Sequence, residues 1–279
     1  MDRPLITFLT DFGPESAPAI CRGVMLGIAR DAQIVDISHL VRKFAVRDGA
    51  YLLWSALPWM PVGTHLAVVD PGVGTERRAI AIQTARGDVL VGPDNGVLMP
   101  AGEVLGGAIG ARLLENRRLM LQSTTATFHG RDIFAPVAAH LAMGTPFEAV
   151  GPPVDVADLI QLRFPIPIRL PDGGLEAEVV YVDSFGNARL AATPADLEAV
   201  IGPLDTGQAL RLEVGARAGA KSVTEEAAWG RTFGDHPVGA ALVYRDSSGS
   251  LAVADNQGDF ADRLGIESGS RVRLHSPRL

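Results

Sequence analysis

The chain has 279 residues, a formal net charge of −7, 47% hydrophobic and 20% charged residues, and one cysteine. This predicts a globular protein of one or two domains with a large core, and it excludes an internal disulfide or a cysteine-based metal site. The negative charge and scattered basic residues argue against a nucleic-acid surface and favour a small-molecule substrate, and no apolar run approaches the roughly 18 residues of a membrane span.

The N-terminal Met1-Asp2-Arg3-Pro4 leads into a strand-like run without the regions of a signal peptide, so a cytoplasmic location is expected. From there to about residue 165, β-branched runs alternate with helix-like segments. Leu5–Leu9, Ile34–Ile37 and His65–Val69 read as strands; Ala19–Ala29 and Arg47–Leu57 read as helices. That rhythm predicts βαβ units around a mostly parallel sheet. Cys21 shares an apolar helical pattern with Ile20, Val24 and Met25, which makes it a buried structural thiol. Ala79–Thr84 and Val89–Gly92 add strands, the Gly- and Ala-dense stretch 101–112 reads as loop and strand, and Arg131–Ala142 reads as an amphipathic helix.

The proline-rich stretch 151–167 lacks periodicity and reads as a linker. Beyond it, Leu175–Val182, Ala209–Val214, Ala240–Tyr244, Leu251–Ala254 and Arg271–Leu274 are short strands separated by Gly, Asp and Ser clusters, the pattern of a small barrel or sandwich. The expected organisation is an α/β domain with a mostly parallel sheet over 1–165, followed by a smaller, all-β, barrel-like domain over 166–279.

Several strand ends carry chemistry. Val68-Val69-Asp70-Pro71-Gly72-Val73-Gly74 delivers a carboxylate at the end of an apolar run, turns on Pro-Gly and returns with Arg77, which suits the carboxyl edge of a sheet where open α/β folds bind ligands. Taken alone, Asp70 also reads as a turn residue and Arg77 as its solvated partner. Thr10-Asp11-Phe12-Gly13 ends the first strand the same way, with a turn-forming role for Asp11 equally open. Neither a kinase nor a dinucleotide-binding reading survives. Asp11-Phe12-Gly13 lacks the other kinase motifs, and Gly72-Val73-Gly74 runs into a strand where a helix is required.

His129, in Phe128-His129-Gly130-Arg131-Asp132, precedes a helix whose positive end favours the neutral imidazole, able to accept a proton or orient water, or simply to satisfy a turn. In the second half, Asp183-Ser184-Phe185-Gly186-Asn187 joins a carboxylate, an aromatic face and an amide within one turn. It suits an ammonium and a nucleobase, or a plain strand and turn. Ser247-Ser248-Gly249-Ser250 and the polar loop after Ala254 read as a hairpin.

In this order the segments resemble the S-adenosyl-L-methionine hydrolase (adenosine-forming) family, the SAM hydroxide adenosyltransferases, relatives of the fluorinase and chlorinase. The resemblance runs nearly end to end. It rests on Thr10-Asp11-Phe12-Gly13, Asp70 to Gly74 with Arg77, Pro93-Asp94-Asn95-Gly96, Phe128 to Asp132, Asp183, Phe185-Gly186-Asn187, Thr232-Phe233 and Asp255-Asn256-Gln257-Gly258. It implies that Asp70, Arg77 and His129 position an attacking water or hydroxide and that Asp11 holds the ribose hydroxyls. It further implies that Phe44 closes over the reacting carbon, Asp183 contacts the methionine amino group and Ser247 lies near its carboxylate. Asn187, Phe233, Asn256 and the Gln257 backbone would surround adenine, with Phe185 beside them. A homotrimer with sites shared between one subunit's first domain and a neighbour's second is implied, with no metal or other cofactor. Two departures stand out: Ser247-Ser248 replaces the fluorinase's Ser-Arg pair, and Ala227–Arg231 has no clear match.

The expected activity is hydrolysis of S-adenosylmethionine to adenosine and L-methionine. A halogenase is disfavoured, because Gly130 and Val73 stand where the fluorinase has Ser and Thr. A non-catalytic S-adenosylmethionine or adenosine sensor would not need Asp70, Arg77 and His129 together. A metal-dependent hydrolase built on Asp11, Asp70 and His129 lacks a close ligand pair.

Overall fold

The computed structural model describes residues 3–215 and 222–277, so Met1 and Asp2 of the N-terminal stretch lie outside it. The chain divides into two compact units that meet between Arg163 and Phe164.

The first unit is built on β1 (Leu5–Thr10), β2 (Gln33–Ser38), β3 (Thr64–Val68), β4 (Ala79–Thr84), β5 (Val89–Pro93), β6 (Ala108–Leu113) and β7 (Pro153–Val154). In space they lie β2-β1-β3-β5-β4-β6-β7. The first four of that order run parallel, and β4, β6 and β7 extend the sheet antiparallel. Both faces are covered. Along β3, Leu66 and Val68 join a core with Cys21 and Met25 of α1 (Ala17–Ile28), whereas Ala67 and Val69 face a second core with Leu53 of α2 (Val46–Ala56) and Ala101 of α3 (Met99–Val104). Burial on two sides is why these strands read as unbroken apolar runs.

Some details differ from the sequence expectation. The stretch 101–112 opens with the end of α3, whose Met99 and Ala101 are buried, rather than with a loop. Residues 153–154 of the expected linker add β7 to the sheet. Ile20 is exposed, although Cys21 and Met25 are buried as expected.

The segment expected as an amphipathic helix over 131–142 is buried on nearly all sides and begins as a π turn, Gly130–Phe134, continuing as α4 (Ala135–Ala142). Pro136 is the physical cause. It has no N–H to give the carbonyl of Asp132 four residues back, and its ring would clash there. The freed Asp132 carbonyl instead accepts from Leu121 N at 3.0 Å, and Ala135 N reaches five residues back to Gly130 O.

The second unit carries β8 (Ile168–Arg169), β9 (Leu175–Val182), β10 (Ala188–Leu190), β11 (Ala209–Gly215), β12 (Val223–Gly230), β13 (Ala241–Arg245), β14 (Leu251–Asp255) and β15 (Arg271–His275). The order β10-β14-β13-β12-β11-β15-β9 closes on itself through the β9–β10 pair, giving a seven-stranded barrel, and β8 pairs with the start of β9. Alternate residues such as Leu210, Leu212 and Val214 fill the interior with Phe260 of α6 (Phe260–Leu264) and Leu197 of α5 (Pro194–Ile201). Closure removes the exposed edges that an open sheet of this size would carry.

Candidate active site

The register of the parallel sheet brings two predicted carboxylates together. Thr10 of β1 pairs with Val68 of β3, so Asp11 and Asp70 leave neighbouring strands at the same, carboxyl, edge. Asp11, Phe44, Asp70 and His129 line one cleft of about 230 Å³ together with Phe12, Lys43 and Phe128. That volume lies below the roughly 300–1,000 Å³ of small-molecule sites, so this cleft covers only part of a nucleoside-sized ligand.

Arg77 sits behind the cleft and joins its parts. Nε donates to Asp70 Oδ1 at 3.1 Å, and Nη2 forms a short ion pair with Oδ2. Both side chains are nearly buried, and the guanidinium lies 5.0 Å from the centre of the Phe134 ring. Nη2 also lies 3.2 Å from His129 Nδ1. A guanidinium only donates, so Nδ1 is the acceptor and the proton of the neutral ring sits on Nε2. Burial and then the Arg77 charge hold the His129 pKa below its ordinary value, which keeps the ring neutral. The sequence left His129 free to accept a proton; the geometry makes it a donor through Nε2, with Asp70 as the acceptor of the trio.

The turns around these groups explain their placement. Gly74 stands at φ +77°, and a Cβ there would meet Ala126 O at 2.5 Å, so only glycine lets the Asp70 loop lie against the segment preceding His129. That segment is held by buried Asp132, whose carboxylate accepts from Thr125 N and Oγ1, both at 2.8 Å, and from Arg131 Nε at 2.6 Å. Phe44 has φ +66°, a left-handed conformation costly for an aromatic residue. Its N–H donates to Asp11 Oδ2 at 2.8 Å, and its ring is exposed.

In the second unit, Asp183, Phe185, Asn187, Phe233, Ser247, Asn256 and Gln257 all line one open cleft of about 1,100 Å³. Asp183 Oδ1 accepts from Phe185 N and Asn187 N at 2.9 and 3.1 Å, and Oδ2 accepts from Asn187 Nδ2 at 2.9 Å. The carboxylate therefore orients the Asn187 amide and leaves Asn187 Oδ1 facing away from it as an acceptor. Phe233 packs on Tyr244 with ring centres 5.1 Å apart, Asn256 Nδ2 donates to His236 O at 2.7 Å, and Gln257 takes φ +58°.

Sequence reasoning missed Arg189 and Asp246, which pair with each other in this cleft while Arg189 also reaches Asp183 at 3.4 Å. The available signal was alternation in β10, which points Arg189 away from the buried Ala188 and Leu190. Lys43 was missed as well. Among the described residues, no three His, Cys, Asp or Glu side chains gather as a metal site, and no helix is long and apolar enough to cross a membrane.

A family model described as the SAM hydroxide adenosyltransferase N-terminal domain matches residues 6–151, and one described as the SAM hydroxide adenosyltransferase C-terminal domain matches residues 177–273. The chain is 45% identical to the (R)-S-adenosyl-L-methionine hydrolase of Salinispora tropica, over 97% of both chains. It is 40% identical to the enzyme of that name from Thermus thermophilus, over 96% of this chain and 98% of that one. Identity to the fluorinase of Nocardia brasiliensis is lower, 28% over 98% of this chain and 97% of that one. An uncharacterized conserved protein from Thermotoga maritima has a solved structure that superposes with a TM-score of 0.85 at 37% identity, covering 97% of this chain and all of that one. Sequence and fold together place the chain in the SAM hydroxide adenosyltransferase family.

Proposed function

We infer that this protein hydrolyses S-adenosyl-L-methionine to adenosine and L-methionine. The observation that carries the reading is Arg77, which bridges Asp70 and the Nδ1 of a neutral His129 at the carboxyl edge of the sheet, in a chain 40–45% identical to S-adenosylmethionine hydrolases along nearly its whole length.

Water oxygen attacks C5′, the C5′–S bond breaks, and its electron pair stays on sulfur. Methionine leaves as a neutral thioether, so the leaving group needs no general acid. The positive charge lost from the sulfonium is balanced by one proton released from the water. Asp70 accepts a hydrogen bond from that water and directs the proton away from the reacting oxygen. Nε2–H of His129 donates to a lone pair that does not attack, and the Arg77 charge favours hydroxide character. Asp11 holds the ribose hydroxyls, and Phe44 covers the reacting carbon. Asp183 and Ser247 take the methionine end; Asn187, Phe233, Asn256 and Gln257 surround adenine, with Phe185 on the rim. No metal or further cofactor takes part in this chemistry.

We propose that the two clefts are complementary halves completed in a homotrimer, one copy's first unit facing a neighbour's second, in a cytoplasmic enzyme. Co-expressed Asp70→Ala and Asn187→Ala chains would then regain activity, since some mixed sites carry neither change. Mixed assemblies as inactive as the separate variants would contradict sharing. Chromatography of S-adenosylmethionine incubated with the purified protein tests the reaction itself: adenosine and methionine in equal amounts are expected, and unchanged substrate refutes it. The relatives' names specify the (R) epimer at sulfur, so both epimers belong in that assay.

A further inference from the structure

The turn Pro93-Asp94-Asn95-Gly96 starts at the last residue of β5 and does not line the cleft of the first unit, yet it grips both feet of the loop that carries Asp70 and Arg77. At one foot, Asn95 Nδ2 donates to Val69 O at 2.8 Å, the carbonyl immediately before Asp70. Asn95 Oδ1 accepts from Val97 N at 3.1 Å, so both ends of the amide are committed and its orientation is set. At the other foot, Asp94 N donates to Arg78 O at 3.0 Å and the Asp94 carboxylate accepts from Arg78 Nε at 2.7 Å, on the residue directly after Arg77. Asp94 is almost fully buried, its second oxygen accepts from Ile160 N at 2.9 Å, and Arg78 Nη2 continues to Asp158 O at 2.6 Å.

Neighbouring residues of one turn thus define the separation between the two ends of a loop whose ends deliver an acid and a base to each other. We infer that Asn95 and Asp94 are positioning residues for the water-holding trio, acting through the spacing of Asp70 and Arg77 and hence through the reach of Arg77 to His129. This inference rests on the role given to those three residues above. The bond from Asp94 N to Arg78 O continues the ladder of β5 with its hairpin partner β4, as a turn that served only to end β5 would. The bond from Asn95 instead crosses to the end of β3, the strand that presents Asp70.

The test is Asn95→Asp, which keeps the shape and the acceptor for Val97 N but sets a carboxylate oxygen against the Val69 carbonyl; Asn95→Ala, which removes the bond without adding charge, stands beside it. For both, kcat on S-adenosylmethionine should fall at least about tenfold while KM stays within about twofold, because the nucleoside contacts are untouched. The second readout does not depend on activity. In nitrogen-15 spectra of the imidazole, wild-type His129 should carry its proton on Nε2, and both variants should move toward a mixture of tautomers as Arg77 loses its contact with Nδ1. Asp70, Arg77, Asp132 and Arg117 are the charged groups that act on His129, and only the first two sit on the gripped loop. A kcat within about twofold of wild type, or an unchanged His129 spectrum in both variants, overturns the inference. If the wild-type protein left S-adenosylmethionine intact, the reaction assignment would fail, and the His129 spectra would still decide whether the turn positions Arg77.

Discussion

Asp11 Oδ2 accepts the backbone N–H of Phe44 at 2.8 Å, so the carboxylate assigned to the ribose also holds an aromatic residue in a left-handed backbone conformation. For an L-residue that conformation costs about 1–2 kcal/mol, and the exposed ring recovers little of it by packing within this chain. The ring's position over the cleft is therefore the reason for the strain. Phe44→Gly should melt no lower than wild type while KM for S-adenosylmethionine rises several-fold. A clear loss of melting temperature with unchanged KM would make Phe44 a structural residue.

The pH dependence follows from His129. The role proposed for it needs the neutral ring, and burial with the nearby Arg77 charge holds its pKa below the ordinary histidine value of about 6.5. Activity should stay level as pH falls through about 6.5 and decline only below it. Stability behaves differently. His39, Nδ1 2.9 Å from Thr10 Oγ1, is pushed down to about 4, mainly by burial and then by the charge of Arg22. Below about 6.5 the unfolded chain takes up protons that the folded one refuses, so stability should fall between about 6.5 and 4 and then lose that slope. Chemical denaturation across that range, with His39→Gln and His129→Gln for comparison, separates the two contributions. A flat profile in wild type would contradict the burial argument.

Arg77→Ala leaves the nearly buried Asp70 carboxylate without its cation and should destabilise the first unit by about 3–5 kcal/mol. Arg77→Lys keeps the charge but loses the fork, so the fold should be largely retained while kcat drops sharply. Denaturation and steady-state kinetics on the pair distinguish support of the fold from support of the chemistry. Equal kcat for Lys and Arg would remove the geometric role of the guanidinium.

Gly130 bears on the halogenase alternative. A Cβ at this position would lie 2.7 Å from Cζ of Phe12, a ring that also packs edge-on against Phe128 with centres 5.7 Å apart. Gly130→Ser should therefore cost about 1–3 kcal/mol through overpacking and should not yield a 5′-haloadenosine. Halide incorporation by that single variant would show that the ring moves aside freely.

Much of this was legible because both domains obey simple periodicities. The alternation of strands and helices up to Val69 and the short strands after Leu175 follow from burial on two faces and on one face respectively. The strand-end carboxylates were readable because a parallel register places them at one edge. What escaped had non-local causes. The π turn at Gly130 depends on the Asp132 carbonyl, left free by Pro136, finding the N–H of Leu121 in the preceding segment; β12 pairs in parallel with β13 inside an otherwise antiparallel barrel. Asn95 acts on the Val69 carbonyl, which only folding brings near, so its place in the chain carried no signal of that contact, and for Arg189 the alternation of β10 was the signal available.

In the proposed reaction, Asp70, Arg77 and His129 direct a water oxygen to C5′. Turnover of S-adenosylmethionine in oxygen-18 water, with halide present, measures it directly by mass spectrometry of the nucleoside. Adenosine carrying one heavy oxygen at its 5′-hydroxyl, formed together with unlabelled methionine, is the expected product. Adenosine without the label, 5′-haloadenosine, or bound but unreacted substrate would contradict it.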